Sequence, residues 1–232
     1  MLRFAFLPLT ALSLSAPLTA RTAATDWSKV VRATPSGGFV MGSPAARAKL
    51  IEYGSLTCPH CAHFDADGAP ALVADYVRGG RVSWEFRSFL LNGVDVPATL
   101  AANCAGPGRF FPVVHSFYAS QRDWVGKVQA LSEDRMAAIQ KMSQPQQFLA
   151  IGDAAGLSTL AAAQGIPVAT TQACLADGAA AKRAVAVTQN AVTRLQVSGT
   201  PTFIINGIKV DTSTGPSVWA VVKARLDAAL KR

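Results

Sequence analysis

A short apolar run, Lys49-Leu50-Ile51-Glu52-Tyr53-Gly54, passes through a turn and opens directly onto Cys58-Pro59-His60-Cys61. The run reads as a buried strand. Pro59 suits the first turn of a helix, where its missing N–H and fixed φ cost nothing, so the cysteine pair stands at a helix start. The helix is expected to run on through His63, Phe64, Leu72, Val73, Tyr76 and Val77, with a kink or break near Gly68 and Pro70 and an end at Arg78-Gly79-Gly80. In the next segment Val82, Trp84 and Phe86 alternate with Ser83, Glu85 and Arg87, the period of a strand. Strand, helix and strand complete a βαβ unit.

Around this unit the chain divides by composition. Its 232 residues, 50% of them hydrophobic, suffice for one packed domain, or for one domain carrying an insertion. Residues 1–24 begin with the positive Met1-Leu2-Arg3, continue through an apolar stretch from Phe4 to Leu14 and end in small residues up to Ala24. That is the layout of a signal peptide. Pro8 and Pro17 interrupt the apolar part, which falls short of the roughly 20 residues needed to cross a bilayer, so cleavage near Ala20 or after Ala24 is expected.

Turn residues between Thr34 and Pro44 predict a short leading strand pair, and residues 25–95 are assigned to the first part of a folded domain. From 96 to 196 the sequence is alanine-rich and helical in period. Breaks are expected at Gly106-Pro107-Gly108, Gly126, Pro145, Gly156 and Gly165-Ile166-Pro167, so this stretch reads as an inserted helical domain. Residues 197–232 return to strand chemistry in Thr202-Phe203-Ile204-Ile205. Asn206-Gly207 is a strong hairpin signal, and Ile208-Lys209-Val210 is the return strand. A last helix from about Pro216 aligns Val218, Val222, Leu226 and Leu230 on one face, with Trp219 beside them.

The formal charge is +8; residues 1–24 hold Arg3 and Arg21 and no acid, so their removal leaves 20 basic against 14 acidic residues, or +6. These charges are scattered rather than gathered into a basic stripe with interleaved aromatics, which argues against a nucleic-acid partner.

Four cysteines form one close pair, Cys58 and Cys61, and two distant members, Cys104 and Cys174. Cys58 sits where free backbone N–H groups and the positive end of the helix dipole stabilise a thiolate. A stable thiolate favours the reduced form and makes the disulfide an oxidant. Cys61, one turn further in, is expected to be more buried and to act as the resolving thiol, while His60 adds a hydrogen-bonding or cationic partner. Haem attachment fails because Ala62 follows Cys61. A zinc site using Cys58, His60, Cys61 and His63 lacks a distant second ligand pair, and an inert structural disulfide is the other alternative. His63 and His115 read as surface or packing residues.

Together with Val197-Ser198-Gly199-Thr200-Pro201-Thr202-Phe203, the stretch Ile51–Cys61 resembles the DsbA branch of thioredoxin-fold proteins. The resemblance spans essentially the whole chain after the leader. It implies an α/β thioredoxin fold with an inserted α-helical domain, and the Pro59-His60 dipeptide matches oxidising members. It also implies that Pro201 is a cis-proline facing the redox pair and that Thr200 lends backbone groups to an incoming peptide. A Gly-Thr-Pro turn opening a strand is equally consistent with those residues. Glu52 matches a buried acid that tunes thiol pKa values or relays protons; pairing with a neighbour such as Arg87 is the competing reading. In an oxidising compartment the even count favours a structural disulfide between Cys104 and Cys174, as some relatives carry, against two buried free thiols.

The function so implied is a dithiol oxidase that introduces disulfides into reduced, unfolded exported proteins in the periplasm. It is expected to work as a monomer without metal or cofactor, reoxidised by a DsbB-like membrane partner. Threonine at position 200 keeps a disulfide isomerase or reductase open, and an apolar surface around the site keeps open a peptide-binding chaperone.

Overall fold

A computed structural model describes Leu2 and residues 25–231; the expected signal peptide, Leu2 apart, lies outside the described residues. Strands β1 (Val31–Ala33) and β2 (Phe39–Met41) form the expected antiparallel pair. Strand β3 (Ala48–Gly54) lies parallel to β4 (Val82–Ser88), and β2 borders β4 on its far side. Strand β5 (Thr202–Ile205) runs antiparallel to β3 and turns into β6 (Ile208–Lys209), which gives the order β1-β2-β4-β3-β5-β6. Asn206 (φ 49°) and Gly207 (φ 83°) both take the left-handed conformation that a tight hairpin between right-twisted strands requires.

Helix α1 (Pro59–Asp67) stops at Gly68, and the path continues as α2 (Ala69–Leu72) and a single π-type turn (Val73–Val77). The break falls where Gly68 and Pro70 predict it. The main core lies on the face of the sheet that carries Leu50, Trp84, Phe86 and Phe203. Phe64 of α1 meets Phe203 with ring centroids 4.6 Å apart. On the other face Tyr53, Phe89 and Ile204 pack with Ala191 and Val197. The polar residues of β4 on this side are tied down rather than solvated: Arg87 Nε donates to Glu85 Oε1 at 2.8 Å, and Arg87 Nη1 to Tyr53 Oη at 2.8 Å.

Between β4 and β5 come eight helices: α3 (Asp95–Cys104), α4 (Gly106–Ala119), α5 (Gln121–Gln129), α6 (Glu133–Gln140), α7 (Gln144–Ala155), α8 (Leu157–Ala163), α9 (Val168–Leu175) and α10 (Gly178–Leu195). Chain breaks fall at Gly106, Gly156 and Gly165, all at positive φ, and Pro145 lies in the first turn of α7. The break expected at Gly126 does not occur, because that glycine lies inside α5. A lone mid-helix glycine costs about 1 kcal/mol, which Trp124 and Val128, buried on either side of it, offset. Helix α5 ends instead at Gln129, and α6 starts after its N-cap Ser132, whose hydroxyl accepts from Arg135 N–H at 3.2 Å.

Phe110 and Phe111 of α4 bring the insertion onto the sheet, Phe110 stacking on Phe39 at 4.1 Å and Phe111 meeting Trp84 at 4.9 Å. Helix α11 (Val218–Lys231) begins two residues past Pro216, buries Val222 and Leu226, and sets Trp219 against Phe64. Cys104 and Cys174 are joined by a disulfide that links the end of α3 to α9, so the alternative of two free thiols falls. Among the described residues no helix is long and apolar enough to cross a membrane.

Candidate active site

Cys58 is the N-cap of α1, in extended conformation at φ −83° and ψ 121°, with Pro59 behind it in the first turn. Its backbone N–H donates to Ser55 O at 3.2 Å, and its carbonyl starts the helix by accepting from Ala62 N–H at 3.2 Å. The Cys58 and Cys61 side chains are not bonded to each other. Cys58 is 5% exposed and Cys61 fully buried, the difference that their places one turn apart predict.

The environment separates the two. The Cys61 thiol donates a hydrogen bond to the Cys58 sulfur, and with the backbone N–H groups of Cys61 and His60 it brings the Cys58 pKa down to about 5, against the opposing effect of burial. Burial pushes Cys61 well above its ordinary value, helped by that same hydrogen bond and by the negative charge of Glu52. His60 contributes through its backbone, while its ring is exposed and sits 6.4 Å from that of His63.

The peptide bond between Thr200 and Pro201 is cis. The Cys58 thiol donates to Thr200 O at 3.4 Å. The Thr200 hydroxyl is buried without a hydrogen-bond partner.

Glu52 is 1% exposed in the middle of β3, level with Phe86 on β4 and Phe203 on β5. Its Oε2 accepts from Trp84 Nε1 at 3.0 Å. Arg87 is committed to Glu85 and Tyr53, so the competing reading of a Glu52–Arg87 pair is not realised. Burial, with repulsion from Asp65, raises the Glu52 carboxyl to about 8 despite the Trp84 bond.

Several polar residues around the site escaped the sequence reading. Asp65 on α1 is buried, and His115 of α4 meets it at 2.6 Å, so His115 has a partner that its local sequence does not signal. Gln121 Nε2 donates to Leu56 O at 2.8 Å and to Cys58 O at 3.0 Å. Tyr118 Oη donates to Ser55 O at 3.1 Å, and Asp95 is fully buried beneath the same loop. Each joins segments tens of residues apart, and no local pattern marks such a pair.

A strand, a helix beginning at two cysteines of opposite character, and a cis-proline loop whose Thr200 carbonyl accepts from Cys58 form a constellation suited to thiol–disulfide exchange. Residues 34–224 match a family model described as Thioredoxin. A Rickettsia bellii protein bearing a provisional protein-disulfide oxidoreductase name is 22% identical over 199 residues, which cover 86% of this chain and 68% of that protein. The solved protein-disulfide isomerase of Novosphingobium aromaticivorans is 32% identical, with a TM-score of 0.75 over 83% of this chain and 97% of the other. The alpha-DsbA1 of Wolbachia pipientis shares the fold at 21% identity, with a TM-score of 0.60 over 86% of this chain and 94% of its own. The chain belongs to the thioredoxin family, and its fold is that of the DsbA-like thiol-disulfide oxidoreductases.

Proposed function

We propose that this thiol-disulfide oxidoreductase works as a dithiol oxidase, with Cys58 as the sulfur that substrates attack. A substrate thiolate attacks Cys58 Sγ, the bond to Cys61 breaks, and Cys61 leaves as a thiolate that takes up a proton. A second substrate thiolate then attacks the substrate sulfur of the mixed disulfide and expels the Cys58 thiolate. The substrate loses two electrons and gains a disulfide, while Cys58 and Cys61 end as a dithiol.

One observation carries this direction: the thiol pKa is held near 5 at Cys58 and well above the ordinary value at Cys61. A low-pKa thiol is a good leaving group, so the mixed disulfide resolves toward the oxidised substrate. Pro59 and His60 shape the helix start, and Thr200 and Pro201 take an extended peptide by its backbone. Glu52, carrying its proton up to about pH 8, supplies it to the departing Cys61. The signal-like leader supports a periplasmic site of action on reduced exported proteins, and the DsbA likeness supports reoxidation of a monomer by a DsbB-like membrane protein. Residues 25–95 and 197–232 form the redox domain, and 96–196 the insertion.

A second reading, disulfide isomerisation, draws on Thr200 and on the likeness to the Novosphingobium protein-disulfide isomerase. The test supplies reduced, unfolded substrate to the oxidised protein and, separately, scrambled substrate to the reduced protein. The proposal expects stoichiometric oxidation that disappears in Cys58→Ser. Efficient unscrambling with poor oxidation overturns it in favour of the isomerase.

A further inference from the structure

Asp95 opens α3 and is 0% exposed. Its carboxylate takes Ser55 Oγ–H at 2.9 Å, Thr57 N–H and Thr57 Oγ–H each at 3.1 Å, and Leu91 N–H at 2.8 Å. Four donors converge on a group that, when ionised, is purely an acceptor. Asn92 completes the arrangement: its Nδ2 donates to Thr57 Oγ1 at 2.8 Å, which leaves the Thr57 hydroxyl hydrogen for Asp95. Burial raises the Asp95 pKa and the four donors oppose the rise, as expected of a carboxylate bound by its neighbours rather than by water.

What Asp95 holds is the turn from β3 to Cys58. Ser55 and Thr57 bracket Leu56, and Cys58 follows immediately. The thiolate depends on donors whose aim is set by that turn: the N–H groups of His60 and Cys61 and the Cys61 thiol. We propose that Asp95 is a positioning residue for the Cys58 sulfur, clamping the Ser55–Thr57 turn from the first turn of α3 so that the helix start and Thr200 both bear on that sulfur. The inference rests on Cys58 being the sulfur that substrates attack.

Position and charge act in opposite senses here. As a bare negative charge, Asp95 disfavours a nearby thiolate, so its neutralisation lowers the Cys58 pKa. As a clamp it favours the thiolate, so its loss raises that pKa. Asp95→Asn is nearly isosteric. In either orientation its new NH2 confronts a backbone donor, Thr57 N–H on one side or Leu91 N–H on the other. Cys61 and His60 on α1, Glu52 on β3 and Tyr118 on α4, the other titratable groups around the turn, stay in place.

The experiment follows the ultraviolet absorbance of the Cys58 thiolate against pH in the reduced full-length protein, and the pH dependence of its alkylation. The clamp predicts an upward move of the midpoint by about one pH unit in Asp95→Asn, a tenfold loss of thiolate on the acid side. It predicts a smaller upward move in Thr57→Val, which keeps the charge and removes one donor. A downward move in Asp95→Asn overturns the inference in favour of through-space charge. Unmoved midpoints with only a lower Tm overturn it in favour of a purely structural role, and if Asp95→Asn does not fold, Thr57→Val decides alone. A wild-type midpoint at the ordinary cysteine value is a different failure, that of Cys58 as the activated thiol.

Discussion

At Cys58 and Cys61, one helical turn apart, a single chemical group is driven in two directions by where the helix begins. Cys58 lies outside the first turn and collects donors, whereas Cys61 lies inside it and loses water. Alkylation of the reduced protein is therefore expected to follow one group with a midpoint near 5, and Cys61 is expected to stay silent until strongly alkaline pH. The low value also has a sign in stability. Its folded pKa, about 5 against an ordinary 9.0, means the unfolded chain binds more protons between those values. The stabilisation is complete above about pH 9 and is lost as pH falls toward 5. The disulfide form has no such group, so the stability of reduced over oxidised protein should climb across that window, by about 1–3 kcal/mol at pH 7. Calorimetry of both forms at several pH values checks it. Glu52 works in the opposite sense, because its carboxyl is raised from 4.5 to about 8 and costs stability as pH rises through that range. Glu52→Gln removes this cost and should gain about 2 kcal/mol at pH 9, net of an unpaired amide hydrogen, while slowing protonation of Cys61.

At the scale of elements, the site is the junction of β3 with α1, and little space is left there. A Cβ added at Gly54 would lie 2.5 Å from Cε2 of the buried Phe86 ring and 3.1 Å from Tyr118 Oη. Gly54→Ala should therefore destabilise by about 1–3 kcal/mol through overpacking, visible as a lower denaturation midpoint at an unchanged m-value. This junction was open to reading because its signals are local: the apolar run to Gly54, Pro59 in the first turn, and the alternation of Val82, Trp84 and Phe86. The Asn206-Gly207 turn was legible for the same reason. Gly126 misled because local propensity is weak beside the burial of Trp124 and Val128. Asp95, Gln121 and the Asp65–His115 pair were invisible because their partners lie far off along the chain and nothing in Asp95-Val96-Pro97 names Thr57. The Glu52–Arg87 pairing failed because the fold sends Arg87 to Glu85 and Tyr53.

On the scale of the whole molecule, the insertion covers the sheet through Phe110 and Phe111 and holds the active-site turn through Tyr118 and Gln121, with Asp95 gripping the same turn from the residue just before it. The Cys104–Cys174 bridge lies within it, at a sequence separation of 70. Closing a loop of that size stabilises by about 4 kcal/mol on the chain-entropy model. The double variant Cys104→Ala/Cys174→Ala should lose that much in urea denaturation and keep the reactivity of Cys58, since neither residue touches the redox pair. The direction of electron flow is a property of the whole site, summed over Cys58, Cys61, Thr200 and the helix start. The reduction potential of the Cys58–Cys61 pair, measured by equilibration with glutathione, tests it most directly. An oxidase with a stabilised Cys58 thiolate should lie near about −120 mV, whereas a value near about −270 mV, that of a reductant of the thioredoxin kind, would contradict an oxidising role.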